Sequence, residues 1–185
     1  MRLFIAIQLP DLYRREIILW MKSLAQEIPD PKHRLRWVKA DQLHLTLKFL
    51  GETREDQVPL LSRSLREVAA AHTHFPISLA KIGHFGGRVI WLGMGTGAEE
   101  AANLAQSIDA GCDRLGFMRE KRQFHPHITL ARSKINPGTL RFANLPPLLT
   151  QNTFGPFIVN DISLVQSTLS STGSIYDVLG QYPLS

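Results

Sequence analysis

Hydrophobic positions along the chain change their period from segment to segment, and these changes predict the elements. Arg2 to Gln8 (RLFIAIQ) is a short apolar run rich in β-forming side chains and predicts a buried strand. Pro10 and Asp11 then open a helix carrying Leu12, Ile17, Trp20, Leu24 and Ile28, with its end expected near Pro29 and Pro31. Residues 32–39 form a basic connection, and Gln42 to Leu50 alternates as a strand should. Val58, Leu61, Leu65 and Val68 fall at helical spacing and predict a second amphipathic helix. The same grammar then recurs. Phe75 to Ile82 and Arg88 to Met94 predict strands joined through a turn at Gly86-Gly87. Ala98 to Leu115 predicts a helix with Leu104, Ile108, Cys112 and Leu115 on one face and Gly116 as its stop. Pro126 to Ala131 predicts another strand. Asn136-Pro137-Gly138 and Pro146-Pro147 mark loops, and Pro156 to Val165 and Tyr176 to Leu179 predict closing strands. Strand, helix and strand twice over predict an α+β protein of two similar lobes.

Composition narrows the class. With 185 residues, 44% hydrophobic and 20% charged, the chain can bury a sizeable core and does not resemble a disordered segment. A single cysteine, Cys112, excludes a disulfide framework and points to a reducing compartment. Its apolar helical position predicts small core filler rather than a nucleophile. Gln8 and Pro10 interrupt the first apolar run, so a secretory signal is not expected, and no stretch approaches the roughly 20 apolar residues of a membrane span. The expected location is the cytoplasm. A net charge of +5 and a pI near 9.7 favour polyanionic partners, nucleic acid first.

Two segments share a pattern that composition does not explain. One is Leu43-His44-Leu45-Thr46-Leu47-Lys48 and the other is Pro126-His127-Ile128-Thr129-Leu130-Ala131. Each sets a histidine and a threonine two residues apart on a predicted strand, so both project from one face while the intervening residue enters the other. Two imidazoles in matching halves suit an acid–base pair, because histidine titrates near neutrality and can give or take a proton. Opening a cyclic phosphate needs such a pair: a base for the attacking water and an acid for the departing sugar oxygen. The hydroxyls of Thr46 and Thr129 can donate hydrogen bonds to non-bridging phosphate oxygens, where charge accumulates. No metal or other cofactor is required by this reading. The residues alone leave open which imidazole is the acid.

On these motifs the chain resembles the 2H phosphoesterases, specifically the bacterial RNA 2′,3′-cyclic phosphodiesterase family, also called 2′-5′ RNA ligase. The resemblance also covers MRLFIAIQLP at the start, RWVKADQLHLTLKFLGE at 36–52, RVIWLGM at 88–94, FHPHITLAR at 124–132 and ISLVQSTLSSTGSIYDVLGQYPL at 162–184. It implies a single bilobal domain over residues 1–185, each lobe an antiparallel sheet with helices outside, and a cleft between the lobes that holds the phosphate. It implies hydrolysis of RNA 2′,3′-cyclic phosphate ends, or of small cyclic nucleotides, to 2′-phosphates, with weak reversible 2′-5′ ligation. His44 is then the proton donor and His127 the acceptor. His125 makes a His-Pro-His, but the two-residue spacing to Thr129 selects His127. No protein partner is implied.

Other residues are expected to assist. Arg132 matches the family pattern as a phosphate-binding fork. Strict alternation would turn it away from His127, so the strand must end or bend before it. Lys48 is expected on the face of His44 and Thr46, as a source of positive potential or in a structural ion pair. Trp37, within the basic stretch Lys32, Arg34, Arg36 and Lys39, and Phe124, after Arg119, Lys121 and Arg122, are candidate platforms for a base, or else core aromatics. Tyr176, in the same closing block as Ser167, is read first as core packing, with a place beneath the site as the alternative. His33 and His84 are read in loop contexts. Two other readings stay open: a metal-dependent hydrolase drawing on His72, His74, His125 and His127, and a non-catalytic RNA-binding module.

Overall fold

The apolar run near the start forms strand β1 (Arg2–Gln8), and the amphipathic segment after it forms helix α1 (Asp11–Glu27), with Asp11 in the first turn, where a negative charge suits the helix dipole. This is a computed structural model, and it describes residues 1–28, 35–133, 150–171 and 173–185. The remaining elements are strand β2 (Leu35–Trp37), strand β3 (His44–Glu52), helix α2 (Val58–Ala70), strands β4 (Phe75–Phe85) and β5 (Val89–Met94), helix α3 (Ala98–Asp113), and strands β6 (His127–Ser133), β7 (Thr153–Val159), β8 (Asp161–Ser170) and β9 (Gly173–Pro183). The expected strand over 156–165 is two strands parted at Asn160. Leu35 to Trp37, inside the expected basic connection, is a strand. The loop signals at 136–138 and 146–147 and the prolines at 29 and 31 lie outside the described residues. Gly86 and Gly87 both take positive φ and close the β4–β5 turn, where a side chain would be strained.

Every pairing is antiparallel, and the strands join into one sheet of order β7-β4-β5-β6-β3-β1-β8-β9, with β2 also on β6. The two expected sheets are therefore halves of one, β7-β4-β5-β6 and β3-β1-β8-β9. They join where Leu45 pairs with Ile128. The halves correspond strand for strand: β1 matches β5, α1 matches α3 and β3 matches β6. Helices α1, α2 and α3 cover one face, burying Ile17, Leu24, Leu61, Leu65, Leu104 and Ile108 against Leu3, Ile5, Leu45, Leu92, Ile128 and Leu164. The other face carries a small buried apolar cluster of Phe4, Ala6 and Val165, with Tyr176 against it. Below, it is called the open face.

The helices also lock the halves together. Helix α1 runs between two strands of one half but packs on β7 of the other, where Trp20 meets Phe154 edge-on and the Tyr13 hydroxyl donates to the Pro156 carbonyl at 3.0 Å. Helix α3 likewise reaches across to β3. Cys112 on α3 is buried at 1% exposure, which pushes its thiol up to about 11, as expected of core filler and not of a nucleophile. Among the described residues no helix is long and apolar enough to cross a membrane.

Candidate active site

The junction of the two halves organises the site. Leu45 is the middle residue of His44-Leu45-Thr46, and Ile128 is the middle residue of His127-Ile128-Thr129. Carrying this antiparallel register one residue each way sets His44 across from Thr129 and Thr46 across from His127. Leu45 and Ile128 are buried on the helical side, so all four polar residues project from the open face. A local two-fold axis relates the two pairs.

Each imidazole is held in the same way. His44 Nδ1–H donates to the carbonyl of Gln42 at 2.8 Å, and His127 Nδ1–H donates to the carbonyl of His125 at 2.6 Å. A carbonyl only accepts, so the proton of each neutral ring sits on Nδ1 and Nε2 is left as the reactive atom. Aromatic neighbours fix the ring planes. Phe4 stacks on His44 at 4.8 Å and Tyr176 meets it edge-on at 5.3 Å while also packing on the small cluster of Phe4, Ala6 and Val165. Phe85 meets His127 edge-on at 4.9 Å and contacts Trp91 at 5.4 Å. Trp91 lies so close over strand β4 that a Cβ on Gly83 would stand 2.2 Å from its ring. Glycine at 83 is thus a condition for that wall of the site. Phe4, Phe85 and Trp91 were not legible as site residues, because an apolar residue on a strand reads as core on either face.

Burial pushes His44 down to about 4; the bond to Gln42 opposes this, and the nearby charges of Arg132 and His127 reinforce it. His127 is also held below the ordinary imidazole value of 6.5, first by burial, against its bond to His125, with His125 and Arg132 lowering it further. Both rings are therefore set to be neutral in the empty site at neutral pH.

A repeated irregularity brings in Arg132. Between Ile5 and Ala6 the partner on β3 jumps from Lys48 to Thr46, leaving Leu47 extra. Between Ile90 and Trp91 the partner on β6 jumps from Ala131 to Thr129, leaving Leu130 extra. Both bulges fall three residues after the histidine and reverse the facing of the residues that directly follow. Arg132 consequently shares the open face with His127 and Thr129, and its Nη2 donates to Thr129 Oγ1 at 3.4 Å. The corresponding place in the first half is held by Phe49, 67% exposed.

The same reversal corrects the expectation for Lys48. It does not share the face of His44 and Thr46; at 6% exposure it lies on the helical side, donating to Asp109 Oδ1 on α3 and to the Met118 carbonyl at 2.9 Å. Arg119 and Arg122 are also engaged in ion pairs, with Asp109 and Glu120 respectively. Trp37 pairs with Ala131 on the helical side, and both Trp37 and Phe124 are partly buried and pack against the main core. His72 bonds the Val68 carbonyl at 2.9 Å and Ser107 at 3.2 Å, and His74 bonds Ser185. No group of three or more His, Cys, Asp or Glu side chains among the described residues is placed to hold a metal ion.

Comparison with known proteins shows which chains this one is similar to. The family described as the 2′-5′ RNA ligase superfamily matches residues 15–169. An RNA 2′,3′-cyclic phosphodiesterase of Archaeoglobus fulgidus is 33% identical over 181 residues, covering 95% of this chain and 96% of its own. One of Escherichia coli is 38% identical over 135 residues, covering 71% of each. The crystal structure of E. coli LigT complexed with 3′-AMP aligns over all of this chain and 98% of its own, with a TM-score of 0.80 and 31% identity.

Proposed function

Because this chain belongs to the 2′-5′ RNA ligase superfamily, we propose that it hydrolyses 2′,3′-cyclic phosphate ends of RNA, and small 2′,3′-cyclic nucleotides, to 2′-phosphates. The observation that carries the reading is the Leu45–Ile128 crossing, which brings two His–Thr pairs to one spot on the open face. A phosphate seated over that crossing meets an imidazole Nε2 from each side. His127, neutral, takes a proton from water as the water oxygen bonds to phosphorus. The bond from phosphorus to the 3′-oxygen breaks, and His44 gives that oxygen its proton, leaving the phosphate on the 2′-oxygen. Thr46 and Thr129 donate to the non-bridging oxygens, and Arg132 neutralises the charge gathering on them. The same sequence, with a 5′-hydroxyl attacking phosphorus in place of water, would form a 2′-5′ link. The cytoplasm, where RNA ends are made and thiols stay reduced, is the fitting location.

The reading is tested by turnover of an oligoribonucleotide ending in a 2′,3′-cyclic phosphate, in excess EDTA, with the product mapped. The expected outcome is a 2′-phosphate formed at a rate unaffected by chelator. A 3′-phosphate would reverse the leaving group, and loss of turnover in EDTA would replace the two-histidine mechanism with a metal-assisted one.

The acid role of His44 needs a proton that its burial disfavours. The substrate supplies the remedy, since a phosphate anion between the rings stabilises both imidazolium forms and raises both values. The profile of kcat/KM, which reports the free protein, should be a bell lying on the acid side of 6.5, with limbs belonging to the pair. The profile of kcat should move to higher pH. A monotonic rise of kcat/KM from pH 5 to pH 9 would rule out opposite protonation states in the two rings.

A further inference from the structure

The short strand β2 sets Arg36 directly across from Arg132 on β6. Its neighbours Leu35 and Trp37 both pack against the main core, so Arg36 projects from the opposite side, the open face, and is exposed. Side chains directly opposite in an antiparallel pair stand about 5 Å apart at Cβ, and like charges there are destabilising. Among the described residues neither guanidinium forms an ion pair with a carboxylate. The two cations differ in where they are held. Arg132 is drawn back along β6 to Thr129, whereas Arg36 lies one strand further from β5 and has no such tether. Arg132 lies four positions beyond Ile128 on β6, up to about 13 Å of strand, so Arg36, directly across from Arg132, is displaced along the sheet from the crossing that receives the reacting phosphate. This is a place for a second anion beside the first.

We infer that Arg36 binds a second phosphate of the substrate, the phosphodiester on the 5′-oxygen of the terminal ribose, and so favours oligoribonucleotide ends over cyclic mononucleotides. The inference rests on the proposed cyclic phosphodiesterase reading. It identifies a feature by which the site can tell the two substrate types apart: a cyclic mononucleotide carries only the reacting phosphate, while an RNA chain carries the next one on the same sugar. Arg132 serves both substrates and Arg36 serves only the longer one.

The experiment compares the full chain with R36A and R36K on two probes, a 2′,3′-cyclic mononucleotide and a trinucleotide with the same terminal base and a 2′,3′-cyclic phosphate. R36A should lose roughly 10- to 100-fold in kcat/KM on the trinucleotide, chiefly through KM, and stay within about twofold on the mononucleotide. Its log–log salt dependence for the trinucleotide should become shallower by about 0.7. R36K should keep the salt slope and recover part of the loss. Equal losses on both probes would move Arg36 to the reacting phosphate, and no loss on either would make it a surface arginine; both overturn the inference. Turnover of the mononucleotide by the unaltered chain tests the parent reading separately. Were that turnover missing, equilibrium binding of the trinucleotide to the unaltered chain and to R36A still reads the contact, through the same change in salt slope.

Discussion

Replacing His127 or His44 with asparagine is expected to lower kcat by about 10²–10⁴-fold for each, with a much smaller change in KM. Asparagine is chosen over alanine because its amide can still donate to the carbonyl of His125 or Gln42, so the strand keeps its local bond while the titrating Nε2 is lost. The double variant should be little worse than either single one, because each group acts only when the other completes the proton transfer. Steady-state kinetics on a cyclic mononucleotide check this, with a melting curve to show that the variants fold. Retention of half the activity in either single variant would remove that histidine from the reaction. The His44 variant carries a second expectation. Unfolded, His44 takes a proton near 6.5; folded, only near 4, so the unfolded chain binds more protons between those values and stability rises as the pH climbs across that window. Removing the ring should flatten this part of the pH–stability curve.

Asp109→Ala is expected to have the largest effect on stability, about 3–5 kcal/mol, because it leaves the buried Lys48 ammonium without its counter-charge. The Met118 carbonyl would be its remaining partner. Burial alone would raise the Asp109 carboxyl, but Lys48, the Glu120 amide and Arg119 together bring it below 3.8. Its stabilisation is therefore present above that pH and is lost as the pH falls through the lower folded-state value. Denaturant unfolding at pH 7 measures the loss. Replacing both partners with apolar residues of similar volume should recover most of it, whereas a loss below 1 kcal/mol in Asp109→Ala would mean that Lys48 reaches water. The pair bears on the site as well: it joins the strand of His44 to helix α3, while Asp109 also holds Arg119 and the Glu120 amide in the segment leading to His127.

The sequence made the histidines and threonines legible because a strand's two-residue period is strict over short distances, and His44 with Thr46, like His127 with Thr129, lies before any bulge. It misled at Lys48 because a bulge leaves no mark in the pattern of residue types: Leu47-Lys48 reads as ordinary alternation whether or not the register slips. The same slip resolved the opposite difficulty at Arg132, which alternation alone turns away from the site. Trp37 sits in a basic stretch, where charge pattern leaves both a nucleotide platform and a core aromatic open; its pairing with Ala131 and partial burial supply the packing that residue types alone do not show. Strand order lay beyond reach as well. That β1 pairs with both β3 and β8 depends on a contact between residues some 160 positions apart, for which no local period gives a sign.

That order has a consequence for how the molecule is made. The half holding His44 is assembled from strands early in the chain, β1 and β3, and from β8 and β9, which follow all of the other half. A nascent chain that already contains both histidines still lacks Tyr176 against His44 and the neighbour that closes the open edge of β1. Synthesis therefore delivers the chemistry well before the scaffold that orients it. Partial chains, whether released early from the ribosome or trimmed by a protease before β8, should be both inert toward RNA and prone to clump along the bare strand.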